Sequence, residues 1–332
     1  MDRQLIDLAR LIERTDAQLS ADSPGEARVW PTGFDVLDRA VGGGLRSGGL
    51  ALLAGPQGLG KTTFALQLAR NVAHDGRSVI YFSYEHDPED LMQRLVTLEA
   101  ALMHGPGSTG IEQVRAAFED TEVSASLDQR LADLPGAVEG LKMVTSYAER
   151  LHLHRSSGAT TDLAVIERAV ETVFDETRQA PLVIVDYLQK VKVPGPPMSE
   201  EDRSSVVVEG LKDYALDAGV PILAIAASNQ TGVEAGKRMR ISHLRGSSSL
   251  GYEADIVLIL NNKYDIVARH HLVYDVGHAE RFRQWAVLSL EKNRSGRGGI
   301  DLEFRKRFDQ CRFDIDGQVV SEQLIDERIF TE

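Results

Sequence analysis

The segment Gly55-Pro-Gln-Gly-Leu-Gly-Lys61-Thr62 fills every fixed position of the spacing G-x-x-x-x-G-K-[ST]. Glycines at 55, 58 and 60 allow backbone N–H groups to curl around a polyphosphate, and a helix beginning here adds a favourable dipole. Lys61 would reach the β- and γ-phosphates, and the Thr62 hydroxyl would face Mg²⁺. Gly55, Gly58, Gly60, Lys61, Thr62 and Thr63 are therefore the candidate contacts to a nucleoside triphosphate. The plain alternative is a glycine turn in front of a core helix. Context argues against it, because the apolar run Leu50–Ala54 precedes the loop and a helical pattern (Phe64, Ala65, Leu68, Ala69, Val72) follows.

Three further groups belong with this loop. Pro181-Leu-Val-Ile-Val-Asp186 is an apolar strand ending in a carboxylate, placing Asp186 as the residue that orients Mg²⁺. Ser78-Val-Ile-Tyr-Phe-Ser-Tyr-Glu85 ends in a second acid. Glu85 is positioned to act as general base on the attacking water, or else it opens the helix signalled by His86-Asp-Pro-Glu-Asp90. Asn229 and Gln230 follow the apolar run Ile222–Ala226, where an amide can sense a γ-phosphate; a plain loop amide is the other reading.

Two basic stretches complete the set. Leu290-Glu-Lys292-Asn-Arg294-Ser-Gly-Arg297-Gly-Gly299 carries cations on a glycine turn, either a solvated hairpin or a source of fingers (Lys292, Arg294) for a neighbouring subunit's nucleotide. Lys237, Arg238 and Arg240 form either a solvated basic turn or a contact to a phosphate backbone. His152 and His154 alternate on one strand face without further ligands, and Cys311 is expected to be a packed residue. No G-x-S-x-G elbow is present.

The elements that must position these groups alternate between strand and helix from about Trp30 to Arg312. Strands are expected at Leu50–Ala54, Ser78–Tyr84, Leu182–Val185, Ile222–Ala226, Ile256–Leu260 and Trp285–Leu290. Their nearly continuous apolarity predicts a largely parallel sheet covered on both faces. A helical insertion is expected over about 96–150, interrupted at Gly105–Gly110 and Leu134–Gly136. Residues 1–29 comprise an amphipathic helix, with Leu5, Leu8, Ala9 and Ile12 on one stripe, and a linker. Residues 314–332 form an acidic tail that either closes as a hairpin or frays. The stripe would cover its own domain or dock on a neighbour.

Composition narrows the function classes. The chain has 332 residues and a net charge of −13, the wrong sign for coating nucleic acid by bulk attraction, so any such contact must be local. A single cysteine excludes an internal disulfide and fits a reducing cytoplasm. The N-terminus lacks the apolar core of a signal peptide, and no run is long enough for a membrane span.

Taken together, the ordered motifs resemble the RecA-like motor domain of the DnaB-type hexameric replicative helicases, superfamily 4. Asp186-Tyr-Leu-Gln189 is similar to that family's D-Y-L-Q, and Phe82-Ser-Tyr-Glu85 to the strand bearing its catalytic glutamate. Lys292-Asn-Arg294-Ser-Gly296, with Leu302-Glu-Phe304 and Phe308, is similar to its K-x-R-x-G hairpin and closing strands. The resemblance spans about 30–313 and implies an α/β P-loop NTPase core that hydrolyses ATP with Mg²⁺ at subunit interfaces of a homo-oligomeric, hexameric ring. Lys61, Thr62, Glu85 and Asp186 would come from one subunit and Lys292 and Arg294 from the next. It also implies single-stranded DNA in a central channel, gripped by the loop aligned with His243-Leu-Arg245-Gly-Ser-Ser-Ser249, so that Arg245, Gly246 and Ser247 join the candidate DNA contacts.

Three departures stand out. The family's N-terminal helical domain has no counterpart in the 29 residues before Trp30, and residues 1–20 resemble its linker helix. Gly246 stands where the family usually has an acid, and Ser248 where it usually has glycine. Thr32-Gly-Phe-Asp-Val-Leu-Asp38, Gly42-Gly-Gly44 and Ser228-Asn-Gln230 look more like KaiC- and RadA-type ATPases. The alternative expectation is thus a nucleotide-switched signalling, scaffold or recombination-mediator ATPase without unwinding activity, with a protein partner on the helical insertion.

Overall fold

The computed structural model describes residues 6–20, 28–120, 124–228, 237–244, 247–268, 270–273 and 276–327. Its strands are β1 (Val29–Trp30), β2 (Leu45–Arg46), β3 (Leu50–Ala54), β4 (Val79–Ser83), β5 (Leu151–Arg155), β6 (Leu182–Asp186), β7 (Ile222–Ala226), β8 (Ile256–Asn262), β9 (Trp285–Asn293), β10 (Ile300–Arg307), β11 (Arg312–Phe313) and β12 (Gln318–Val319). The main sheet runs β11-β10-β9-β8-β3-β7-β6-β4-β5, with β12 also on β10. From β5 to β8 the pairings are parallel, and from β8 outward they are antiparallel. Every residue of β3, β4, β6 and β7 is buried, as expected for strands covered by helices on both faces.

The helices include α1 (Leu8–Leu19), α2 (Asp35–Val41), α3 (Lys61–His74), α4 (Pro88–His104), α5 (Ile111–Glu119), α6 (Leu127–Leu131), α7 (Ala137–Tyr147), α8 (Leu163–Thr177), α9 (Glu200–Ala218) and α10 (Ser247–Glu253). One face of the sheet carries an aromatic core in which Phe34 stacks on Phe64 at 4.4 Å and Phe304 and Phe313 meet Phe64 edge-on. The other face is mainly aliphatic, with Val207, Val208 and Leu211 of α9 in one cluster with residues of β3, β6 and β7.

The expected insertion begins inside α4, which starts at Pro88, and continues through α5 to α7. α7 approaches α4 so closely that a Cβ on Gly140 would lie 2.6 Å from the Val96 carbonyl oxygen. Glu99 of α4, fully buried, receives Arg70 of α3 through Nε at 2.5 Å and Nη2 at 2.8 Å. The insertion is thereby tied to the helix that starts at the glycine loop. α1 leaves Leu8 and Ile12 70% and 60% exposed, so its own domain does not cover the apolar stripe.

The C-terminal segment is closed against the sheet over its described length. Val319 pairs with Leu302, Leu324 bridges Val267, and Glu327 bridges Lys237. No helix among the described residues is long and apolar enough to cross a membrane.

Candidate nucleotide and nucleic-acid sites

A cleft of about 980 Å³ opens where β3, β4, β6 and β7 end, the edge at which open α/β sheets hold ligands. The loop after β3 supplies its floor. Gly58 and Gly60 adopt φ of 79° and 82°, a left-handed conformation that side chains disfavour. A Cβ at Gly60 would also meet the Phe308 ring at 2.7 Å, so glycine is required there twice over. α3 begins at Lys61, directing its free N–H groups into the cleft.

Lys61 Nζ donates to the carbonyls of Gly55 at 2.9 Å and Pro56 at 3.0 Å. Burial lowers its pKa, while the carboxylates of Asp186 and Glu85 oppose that shift. Thr62 Oγ1 donates to Asp186 Oδ2 at 2.8 Å across the end of β6. Asp186 is 2% exposed, and burial raises its pKa against the hydrogen bonds that favour its charge. A hydroxyl and a carboxylate side by side are the hard oxygen donors Mg²⁺ takes, and the glycine floor fits a triphosphate, so the residues present fit both groups. Thr63 and Glu85 line the same cleft. Glu85 lies exposed just past β4, and Pro88 begins α4 three residues on.

Tyr81, beneath the cleft, and Arg94, in its wall, were not singled out from the sequence. Tyr81 on β4 is fully buried and donates its hydroxyl to Asp186 Oδ2 at 2.8 Å. The register that sets Ser83 opposite Asp186 brings this ring beneath the carboxylate. Arg94 enters from α4, its Nε on Asp90 Oδ2 at 2.8 Å. Asp90 also meets His86 Nδ1 at 2.9 Å and Arg115 Nη2 at 2.7 Å. Burial would raise the Asp90 pKa, but the hydrogen bonds from Arg115 and Arg94 hold it below the usual carboxylate range. Phe308 and Gln189 complete the walls, and Cys311 is buried at the rim.

Lys292 and Arg294 are not among the residues lining this cleft. They sit at the end of β9 and just beyond it, against the C-terminal end of α10. Lys292 Nζ donates to the carbonyls of Gly251 at 2.7 Å and Tyr252 at 3.0 Å. Arg294 donates to the Tyr252 carbonyl and pairs with Asp255 at 3.4 Å.

The candidate DNA contacts divide. Arg238 is 5% exposed, ion-paired with the partly exposed Asp301 and bonded to Ser289 Oγ at 3.0 Å, so reaching a phosphate would cost it both partners. Arg240 is partly exposed, held by Glu291 Oε1 at 3.0 Å and by Asp326. Lys237 lies in the bridge to Glu327. Ser247 opens α10, while Arg245, Gly246, Asn229 and Gln230 lie outside the described residues. His154 turns its Nδ1 to Ser156 Oγ at 2.8 Å and packs on Phe82.

Known proteins resemble the chain over most of its length. The replicative DNA helicase DnaB of Pasteurella multocida is 29% identical over 310 residues, covering 92% of this chain and 60% of the relative. That of Haemophilus influenzae is 27% identical over 311 residues, covering 92% of this chain and 59% of the relative. The chain thus spans about three-fifths of the length of these relatives. Among solved structures, one described as an ATPase domain superposes with a TM-score of 0.69 at 20% identity, covering 92% of this chain and 96% of that one. A DnaB-like replicative helicase, solved to describe its interactions with primase, also gives 0.69 at 20% identity, over 93% of this chain and 68% of that one. These two likenesses establish a RecA-like fold. The family model described as the DnaB-like helicase C terminal domain matches residues 30–313, and the chain belongs to that family.

Proposed function

We propose that this chain is an ATP-hydrolysing DNA motor that forms a hexameric ring, with ATP at the interfaces between identical subunits and single-stranded DNA in the channel. One observation carries the proposal. Lys61, Thr62, Glu85 and Asp186 meet in one cleft, while Lys292 and Arg294 stand outside it on β9 and its hairpin. A cleft that gathers the positioning groups but not these two cations is half of a site, and a neighbouring copy can complete it.

In the full site, Lys61 and the loop N–H groups hold the phosphates, and Thr62 and Asp186 would hold Mg²⁺, which supplies charge neutralisation when bound. Glu85 accepts a proton from the water that attacks the γ-phosphate in line, and Lys292 and Arg294 of the adjoining copy stabilise the charge that spreads over the phosphoryl oxygens. The test is ATPase rate with and without single-stranded DNA at low salt, alongside native mass with and without a non-hydrolysable ATP analogue. Stimulation by DNA and nucleotide-dependent assembly are expected. A DNA-indifferent rate would remove the DNA part, and a monomer under all conditions would remove the shared site.

A second reading has its own support. Arg238 and Arg240 are both engaged by carboxylates, and the chain is acidic overall. A nucleotide-switched scaffold, signalling or mediator ATPase, binding a protein through the insertion, would assemble with ATP but retain no DNA and displace no strand.

A further inference from the structure

Gln189 follows Asp186 by three residues, in the short turn Leu188–Lys190, and lines the cleft while being 7% exposed. Its Oε1 accepts the backbone N–H of Ala227 at 3.0 Å. An N–H can only donate, so this bond fixes which end of the amide is which, and Nε2 is left as the spare donor. Nε2 is buried with no hydrogen-bond partner among the described residues. Buried donors are nearly always paired, so an exception beside a ligand cleft calls for a physical reason.

Ala227 lies one residue beyond the last β3–β7 pair, Ala54 with Ala226, and Gln189 takes its N–H in place of a strand neighbour. The next residue, Ser228, forms an antiparallel bridge with Leu244, immediately before the candidate grip residue Arg245. A continuous line thus joins the Mg²⁺-orienting Asp186, through Gln189 and Ala227, to Leu244.

We propose that Gln189 is a positioning residue that couples filling of the phosphate cleft to the end of β7 and the Leu244 segment. It rests on the nucleotide-binding reading above. An acceptor oxygen arriving with the phosphates gives Nε2 its missing partner, while Oε1 keeps Ala227. Filling the cleft then steadies Ala227, Ser228 and, across the bridge, Leu244. No bond is made or broken in this step; the effect is a change in the stability of an existing arrangement.

Hydrogen–deuterium exchange of the full chain, with and without Mg²⁺ and adenylyl-imidodiphosphate, tests this. In the parent chain, peptides over 55–62, 222–228 and 237–244 should exchange more slowly with the analogue, by about fivefold or more if coupling is of ordinary size. Gln189→Met, similar in volume but with neither donor nor strong acceptor, should keep the slowing at 55–62 and lose it at 222–228 and 237–244. Gln189→Glu retains an acceptor for Ala227 but no donor, so it should keep the basal exchange of 222–228 and lose only the response to nucleotide. A purely structural glutamine would change exchange equally with and without the analogue. Undiminished slowing at 222–228 and 237–244 in both variants overturns the proposal, as does a parent chain that responds at 55–62 alone. A parent chain with no response at 55–62 would instead overturn nucleotide binding itself, and the coupling with it.

Discussion

Asp186 holds its place because two hydroxyls aim at one of its oxygens: Thr62 at the start of α3 and Tyr81 from β4, each at 2.8 Å. Tyr81→Phe removes one of them from a fully buried position without changing the packing volume. About 1 kcal/mol is at stake for one such bond, and somewhat more because the acceptor is charged. The expected result is a fall of about tenfold in kcat for ATP hydrolysis, with a melting temperature within a few degrees of the parent. An unchanged kcat would show that Thr62 alone orients the carboxylate. Cys311 offers a test of linkage instead. Burial pushes its thiol up from 9.0 to about 11. An unfolded thiol ionises first, so Cys311 contributes stability that is whole below about 9 and is lost as pH rises toward 11. Urea unfolding of Cys311→Ala against the parent should give a stability difference that shrinks across that interval; a constant difference would mean the thiol ionises alike in both states. The glycine loop, Asp186 and Glu85 are legible in the sequence because each sits at a fixed spacing from an apolar strand. The contacts of Tyr81 and of Gln189, whose place in Asp186-Tyr-Leu-Gln189 is visible, are not, because folding makes them: Tyr81 reaches across 105 residues to Asp186, and Gln189 across 38 to Ala227.

Elements buried on both faces announce themselves by apolar runs, and β3, β6, β7, β8 and β9 all lie where those runs are. β5 is half-buried, with His152 and His154 on one face, and its pattern alone says less. The insertion is visible in the sequence as helix, but its anchorage is not. Arg70 on Glu99 and the close passage of α7 over α4 at Gly140 are tertiary facts with no local signature. Gly140→Ala tests that passage. The added Cβ would lie 2.6 Å from Val96 O and 2.8 Å from Ala100 N, both backbone atoms that cannot swing aside. Overpacking of this kind costs about 1–3 kcal/mol, so urea unfolding should show a loss of that size. A neutral result would mean that α7 shifts along α4 freely. The acidic C-terminal segment reads equally as a hairpin or a frayed end, and over its described length, to Glu327, the strand pairing at Val319 and bridges at Leu324 and Glu327 give the packed form. Its acids also answer the basic turn: Asp326 holds Arg240, which is why a run of cations in the sequence is not a run of free cations on the surface.

At the scale of the assembly, the two halves of the proposed site lie on different parts of one chain. Lys61 heads α3 at the cleft, and Arg294, just past β9, caps the C-terminal end of α10. If one copy's Arg294 serves another copy's phosphates, the two functions must complement in trans. Lys61→Ala should abolish ATP hydrolysis by weakening phosphate binding. Arg294→Ala should leave ATP binding intact and slow hydrolysis by about 10³-fold or more, the usual size of an arginine finger's effect. Mixed in equal amounts and reassembled, the two inactive chains should regain activity, because head-to-tail contacts that pair an intact Lys61 with an intact Arg294 form at about a quarter of random interfaces. Recovery near that fraction, rising and falling with the mixing ratio, is the signature of a shared site. A mixture as inactive as its parts would place all catalytic groups within one chain and leave Lys292 and Arg294 as caps of α10 alone.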